Sequence, residues 1–188
     1  VKYYARKDSN IALKVIPGHF VTNHSHLNYY LDMTTMKTRQ NEAERIAIAM
    51  KDYYNVMDKP IDTIVCLDVI GAFLASELSR AGVLSTNAHK TIYVVTPEFN
   101  SNGQMIFRDN LKPEIYGKNV LLLLASATTG KTVRNSIECI EYYGGILQGI
   151  SAIFSAVDSI NGHRIDALFR ADDIPNYEAF THSDCPMC

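Results

Sequence analysis

The stretch from Lys118 to Gly149 constrains the fold more than any other part of the chain. It begins with an apolar run at 119–124, which is typical of a buried parallel strand. Small and hydroxyl residues follow at 126–132, and apolar side chains then recur at helical spacing from Val133 to Tyr143. A strand, a tight turn and a helix in this order place free backbone N–H groups at the positive end of a helix dipole. The stretch therefore predicts an anion site, for which phosphate is the usual occupant.

The order of elements along the whole chain predicts an α/β fold. A mostly parallel sheet is expected to be flanked by helices, with a small hairpin-like hood at the N-terminal end. Ligands of such sheets bind beyond the carboxyl ends of the strands. Residues 1–14 are expected to be partly helical or irregular, and residues 172–188 an irregular tail. Predicted helices span 34–54, 72–80 and 133–143, and predicted strands span 61–67, 90–95, 119–124, 146–157 and 164–169.

Composition narrows the class of protein. The 188 residues are 47% apolar, which is enough for one folded domain. The net charge of −2 gives no basic field for nucleic acid, so no nucleic-acid partner is expected. No apolar run approaches the length of a membrane span, so no membrane partner is expected either. The four scattered cysteines fit a reducing compartment and predict a cytoplasmic protein.

Two phosphate-binding motifs match the turn after the strand at 119–124. Residues 125–132 fit a relaxed Walker A pattern with alanine in place of the first glycine. The same residues resemble the loop for phosphoribosyl diphosphate (PRPP) of type I phosphoribosyltransferases, in which Thr-Thr-Gly follows two acidic residues and two more residues. Thr128-Thr129-Gly130 match, but the acidic positions fall on Leu124 and Ala125. The resemblance implies that the 5′-phosphate is bound by Ala127, Thr128, Thr129, Gly130, Lys131 and Thr132.

The segment 15–32 resembles the N-terminal hood of orotate phosphoribosyltransferases. That family has Ser-Gly-x-x-Ser-x-Tyr-Tyr-x-Asp around its base and ribose site. The Tyr-Tyr-x-Asp end is present, whereas Asn23, His24 and Leu27 replace the Ser, Gly and Ser. A polar surface loop and a metal site at its histidines are the alternatives. The resemblance implies base and ribose contacts from Tyr29, Tyr30 and Asp32.

Two further segments match the family in position. The turn Asp68-Val69-Ile70-Gly71 follows a predicted strand, and the resemblance implies that it binds pyrophosphate, with Asp68 on the pyrophosphate or a metal. An ordinary helix cap is the alternative for Asp68. The polar stretch 96–112 matches a lysine-rich catalytic loop of the family. Its only cations here are Arg108 and Lys112.

The resemblance covers about residues 15–188 and sets the expected function. It implies a single domain over 1–188, with a hood at about 15–32, a core at about 33–170 and a tail at 171–188. It also implies a homodimer that binds PRPP or a nucleoside monophosphate, with Mg²⁺ if the protein is active. One hypothesis is an orotate phosphoribosyltransferase-like enzyme with a changed site. The alternatives are a non-catalytic nucleotide- or PRPP-binding regulatory protein and a P-loop nucleotide-binding protein.

The C-terminal tail carries a separate motif. Two thiolates in the spacing Cys185-x-x-Cys188 can reach one Zn²⁺, and His182 is a candidate third ligand. The fourth ligand would come from elsewhere, with His163 or the partner subunit as candidates. A reversible disulfide and a disordered terminus are the alternatives.

Overall fold

The computed structural model of the chain describes residues 1–23, 25–80 and 84–188. The strands are β1 (Lys2–Tyr4), β2 (Ala12–Val21), β3 (His26–Asp32), β4 (Thr63–Cys66), β5 (Tyr93–Val95), β6 (Glu98–Phe99), β7 (Met105–Ile106), β8 (Asn119–Ala127), β9 (Ile146–Ser155), β10 (Ser159–Ile160), β11 (His163–Arg170) and β12 (Ala179–Phe180). The α-helices are α1 (Thr34–Thr38), α2 (Gln40–Lys51), α3 (Ile70–Ser79) and α4 (Lys131–Tyr142), and 3₁₀ turns span Asp109–Glu114 and Ala171–Asp173.

A central sheet in the order β10-β11-β9-β8-β4-β5 confirms the predicted α/β class. Its strands pair in parallel except for β10, which is antiparallel to β11. The run of leucines in β8 is buried on both faces, as expected for an inner parallel strand. No helix in the described part of the chain is long and apolar enough to cross a membrane.

Alternate side chains of β8 enter two separate cores. Leu121 and Leu123 pack with the buried residues of α2 and α3, whereas Leu122 and Leu124 pack with those of α4. Successive side chains of a strand point to opposite faces, so one strand supplies both layers. Helices α2 and α3 therefore cover one face of the central sheet, and α4 covers the other.

A second, antiparallel sheet in the order β1-β2-β3-β12 forms the hood, and we call it the hood sheet. The expectation of partly helical or irregular structure at 1–14 is wrong, because β1 pairs with the start of β2 in the register Lys2↔Lys14. The expectation of an irregular tail is also incomplete. Strand β12 pairs with β3 in the register Phe180↔His26. Both ends of the chain therefore build the hood sheet.

Two predicted segments are divided in the structure. The helix expected at 34–54 is broken at Arg39, whose backbone is extended with φ −87° and ψ 124°. The long stretch 96–112 contains the hairpin β6–β7. The turn of this hairpin is held by Asn100, whose side-chain oxygen accepts hydrogen bonds from the backbone N–H groups of Asn102 and Gln104.

Candidate functional site

Strand β8 positions the predicted phosphate loop, residues 127–132, beyond the end of its neighbour β4. Cys66 at the end of β4 pairs with Leu123, so β8 continues for four more residues. Among the residues that the structure describes, none accepts a hydrogen bond from the backbone N–H groups of 128–133. The first bond of α4 runs from the N–H of Arg134 to the carbonyl of Gly130, at 2.9 Å. Six consecutive N–H groups are therefore free at the positive end of the helix.

Gly130 is required by the geometry of the loop. Its φ of +76° lies in the left-handed region that favours glycine. A Cβ atom at this position would lie 2.4 Å from Cδ1 of Ile160, which belongs to the hairpin β10–β11 that covers the loop. The side chains of Thr129, Lys131 and Thr132 are exposed. The loop thus combines free N–H groups with accessible hydroxyl and ammonium groups.

The two positions that are acidic in the family motif are apolar and inward-facing here. Leu124 is buried against α4, and Ala125 packs against the core on the opposite face. The carboxylates that follow neighbouring strands at this edge are Asp68, after β4, and Asp158, after β9. Asp158 is exposed and forms an ion pair of 3.1 Å with Arg170. Neither aspartate lies on β8 itself.

The turn 68–71 caps helix α3. Asp68 Oδ1 accepts a hydrogen bond of 3.0 Å from the N–H of Ile70, and the thiol of Cys66 donates to the same oxygen at 3.4 Å. Burial, together with the charge of Asp68, raises the pKa of the Cys66 thiol to about 12, so this thiol remains a neutral donor. A Cβ at Gly71 would lie 2.8 Å from Cβ of Cys66, so glycine allows α3 to approach β4 closely. A pyrophosphate role for Asp68, Val69, Ile70 and Gly71 stays a prediction.

The hood residues lie on β3 with different neighbours. Tyr29 packs against the core beneath the hood sheet, while the ring of Tyr30 is exposed and lies 5.6 Å from the ring of Phe20. Asp32 accepts a hydrogen bond of 3.2 Å from the N–H of Thr34 and forms an ion pair of 3.2 Å with Lys14. These hydrogen bonds from Thr34, followed by Lys14, hold the pKa of Asp32 below its usual value.

Asp32 lines a cavity of about 660 Å³ between the hood sheet and helices α1 and α2. The cationic residues of its lining are Lys2, Lys14, Arg39 and Arg45. No residue of 127–132 or 68–71 lines this cavity. The predicted ribose-binding aspartate and the phosphate loop therefore do not line the same cavity, and the base and ribose contacts of Tyr29, Tyr30 and Asp32 stay a prediction.

Both cations of the stretch 96–112 are paired with carboxylates. Arg108 forms an ion pair with Glu98, and Lys112 lies 2.6 Å from Asp109. The hairpin β6–β7 is fixed to α4, because the thiol of Cys139 donates to the carbonyl of Met105 at 3.1 Å. In this arrangement neither cation of the stretch is available to a ligand without breaking an ion pair.

The tail brings its two cysteines to the hood. Donor atoms of His19, His26, Cys185 and Cys188 all lie within 4.8 Å of one another. These four residues form a candidate site for one metal ion, and we call them the metal cluster. His182, the predicted third ligand, lies outside the group: its Nδ1 is 3.2 Å from Nε2 of His26. The histidines of the cluster come from the hood, so His163 is not the fourth donor. His24 lies outside the described residues.

The geometry of the metal cluster was only partly visible in the sequence. The Cys-x-x-Cys spacing indicated its tail half, but the hood histidines His19 and His26 precede Cys188 by 169 and 162 positions in the chain. The alternating runs on either side of Asn23 to Asn28 predicted a hairpin-like hood, and the hairpin of β2 and β3 places His19 next to His26. Pairing of the tail with the hood carried no sequence signal.

Comparison with known proteins agrees with this architecture. No family model matches the chain. Orotate phosphoribosyltransferase of Thermus thermophilus is 25% identical over 177 residues, which cover 93% of this chain and 88% of that protein. Adenine phosphoribosyltransferase of Leishmania donovani has a TM-score of 0.60 at 13% identity, over 87% of this chain and 78% of that one. Mycobacterium tuberculosis orotate phosphoribosyltransferase, solved in complex with PRPP, has a TM-score of 0.54 at 13% identity, over 77% of this chain and 82% of that one.

These likenesses show the fold: the chain has the type I phosphoribosyltransferase fold. Its sequence resembles orotate phosphoribosyltransferases over nearly its full length.

Proposed function

We propose that this chain binds PRPP or a nucleoside monophosphate through its 5′-phosphate at residues 127–132. The observation that carries the proposal is the row of six unpaired N–H groups at the start of α4. Lys131 adds an exposed positive charge at the same point. A dianionic phosphate satisfies these donors and is favoured by the helix dipole.

Mg²⁺ is the cofactor expected with PRPP, and it prefers oxygen ligands. Asp68 offers such an oxygen, because no described residue forms a hydrogen bond to its Oδ2. Leu124 and Ala125 offer none through their side chains. A metal-bound pyrophosphate would therefore contact Asp68 rather than β8, and Mg²⁺ would neutralise the charge of the pyrophosphate.

A ribose bound at this loop would lack the two carboxylates by which the family motif holds its hydroxyl groups. Phosphoribosyl transfer develops positive charge at the ribose, and such reactions depend on positioning and charge stabilisation. Both carboxylates of the family motif are absent, and both cations of 96–112 are occupied in ion pairs. We therefore assign the chain a non-catalytic binding or regulatory role, with turnover weak or absent.

Transfer of phosphoribosyl to orotate is the second candidate function, and Asp158 favours it. Val157 lies beside the phosphate loop, 3.8 Å from the position of a Cβ at Gly130. Asp158 is the next residue, so its carboxylate follows β9 at the same edge of the sheet. If this group replaces the missing acids, orotate consumption will be measurable and Asp158→Asn will abolish it.

Calorimetry tests phosphate binding, and an assay of orotate turnover tests the non-catalytic assignment. PRPP, with and without Mg²⁺, should give a saturable heat that Lys131→Ala weakens about tenfold, or about 1.4 kcal/mol. Lys90→Ala, an exposed lysine without a salt bridge in the described part of the chain, is the control. No heat at millimolar PRPP or nucleoside monophosphate would refute phosphate binding. Orotate turnover of about 1–1000 per second would refute the non-catalytic assignment.

We also propose that the protein is located in the cytoplasm. All four cysteines are free thiols in the structure, and Cys66 and Cys139 are buried. This usage fits a reducing compartment.

A further inference from the structure

The metal cluster has the donor set and spacing of a tetrahedral site. His19 Nε2 lies 3.0 Å from His26 Nδ1. Cys185 Sγ lies 3.5 Å from His19 Nε2, and Cys188 Sγ lies 3.6 Å from the same nitrogen and 3.1 Å from His26 Nδ1. Two imidazole nitrogens and two sulfurs thus converge on one point from two distant parts of the chain.

These separations match the edges of a zinc tetrahedron. Zn–N bonds of about 2.0–2.1 Å and Zn–S bonds of about 2.3 Å give edges of about 3.3 Å for N–N, about 3.5 Å for N–S and about 3.8 Å for S–S. The nitrogen–nitrogen and nitrogen–sulfur separations above lie within about 0.5 Å of these values. All four donor atoms lie within 4.8 Å of one another, so movements of about 1 Å bring them to the distances of a coordinated ion.

The hood half of the cluster depends on an irregularity in β2. The pairing of β2 with β3 shifts between Pro17 and Phe20, the pattern of a β-bulge. Bulges re-aim side chains, and His19 lies inside this one. Beyond the bulge Val21 pairs with His26, so His19, two residues before Val21, shares a face of the hairpin with His26.

The tail half is delivered by strand pairing and a tight turn. Strand β12 is paired with β3 at Phe180↔His26, which fixes the start of the tail beside the ligand histidine. Thr181 then bonds Asp184 through its hydroxyl at 2.6 Å. The N–H of Cys188 donates to the carbonyl of Cys185 at 3.3 Å, and this turn brings both sulfurs to one side.

His182 contacts a ligand of the cluster without being a ligand itself. Its Nδ1 lies 3.2 Å from Nε2 of His26, the ring nitrogen that faces away from the sulfurs. When Nδ1 of His26 binds a metal, Nε2 carries the proton, and this N–H donates a hydrogen bond to Nδ1 of His182. Such outer partners fix the orientation of a ligand imidazole and raise its basicity. His182 is thus a positioning residue.

We propose that His19, His26, Cys185 and Cys188 bind one structural Zn²⁺ with His182 in the outer shell. Two thiolates with two imidazoles in tetrahedral geometry are a donor set typical of structural zinc sites. Four protein donors leave no open position, so the ion has a structural role rather than a catalytic one. The ion would link His19 in the hood to Cys188, which lies 169 positions later in the chain.

Metal analysis tests the site on the full chain, purified without a histidine tag. We expect about one equivalent of zinc per chain. After exchange, Co²⁺ should give sulfur-to-cobalt charge-transfer absorption and the strong d–d bands of a tetrahedral ion. Less than about a tenth of an equivalent of zinc, with both tail thiols free to react and no such spectrum, would overturn the proposal.

Variants identify the ligands. His19→Ala and Cys188→Ser should each reduce bound zinc to below about a tenth of an equivalent, whereas His163→Ala should leave it unchanged. His182→Ala should retain zinc but bind it about 10–100-fold more weakly. Full zinc in His19→Ala together with its loss in His182→Ala would overturn this ligand set.

Two readouts keep these tests independent of folding and of the proposed function. Far-UV circular dichroism of each variant shows whether the central sheet is intact. The cobalt spectrum uses the unaltered chain, so it does not depend on any variant folding. Residues 127–132 contribute nothing to the cluster, so a failure of PRPP binding would leave the zinc proposal standing.

Discussion

Gly130 is the residue on which the phosphate loop depends most. We expect Gly130→Ala to weaken PRPP binding at least tenfold, because the added Cβ meets Ile160 and the loop must shift. The left-handed backbone should cost a further 1–2 kcal/mol, roughly, of folding free energy. Calorimetry and urea unfolding measure the two effects.

Gly103→Ala is the matched control for this prediction. Gly103 has a similar φ of +74°, but a Cβ there meets no atom within 4 Å. The control should lose comparable stability and retain its affinity for PRPP. Equal losses of affinity in the two variants would contradict the steric role of the loop.

The side chain of Asn87 is buried and binds the backbone of Ile61, just before strand β4 of the central sheet. Its Oδ1 accepts a hydrogen bond of 2.9 Å from the N–H of Ile61, and its Nδ2 donates one of 2.7 Å to the carbonyl of Ile61. Asn87→Ala leaves both buried groups unpaired, which should lower stability by about 2–4 kcal/mol. Asn55→Ala, which loses only an exposed bond of 3.4 Å to Asp52, should change stability by less than about 0.5 kcal/mol. Urea midpoints that are equal for the two variants would contradict this assignment.

At the scale of elements, the junction between β3 and α1 makes folding stability depend on pH. The pKa of Asp32 is lowered by hydrogen bonds from Thr34 and by Lys14, so its ionised form stabilises the fold. This contribution is complete above the ordinary value of 3.8 and is lost as the pH falls below it. Asp32→Asn should therefore be less stable than the unaltered chain at pH 7, and the difference should shrink toward pH 3.

Urea unfolding at several pH values measures this difference. Asp58→Asn is the control, because Asp58 is exposed and forms no ion pair within the described ranges. A stability difference for Asp32→Asn that stays constant from pH 7 to pH 3 would contradict the argument.

Elements with their own local signal were predictable. The apolar run of β8 and the helical spacing of α4 identify these two elements, and their order predicts a parallel sheet. The break at Arg39 was missed because the apolar face continues from Met36 to Ala43 across it. Strands β1 and β12 were missed because each is short and gains its stability from pairing with a partner far along the chain.

At the scale of the whole molecule, we predict a homodimer. The resemblance to orotate phosphoribosyltransferases implies it, and two-fold pairing is the commonest closed assembly. Light scattering should therefore give twice the chain mass of 21.0 kDa at micromolar concentration. A mass of 21 kDa that is independent of concentration would contradict the prediction.

The hood sheet also sets the order in which the chain can mature. Its last strand, β12, is translated after all the other strands, yet it pairs with β3 near the N-terminus. On a ribosome the first three strands of the hood must wait, with the edge of β3 open, until Ala179 and Phe180 have been synthesised. Exposed strand edges promote pairing between chains. Nascent copies on one messenger RNA are therefore open to mispairing at β3 until β12 covers that edge.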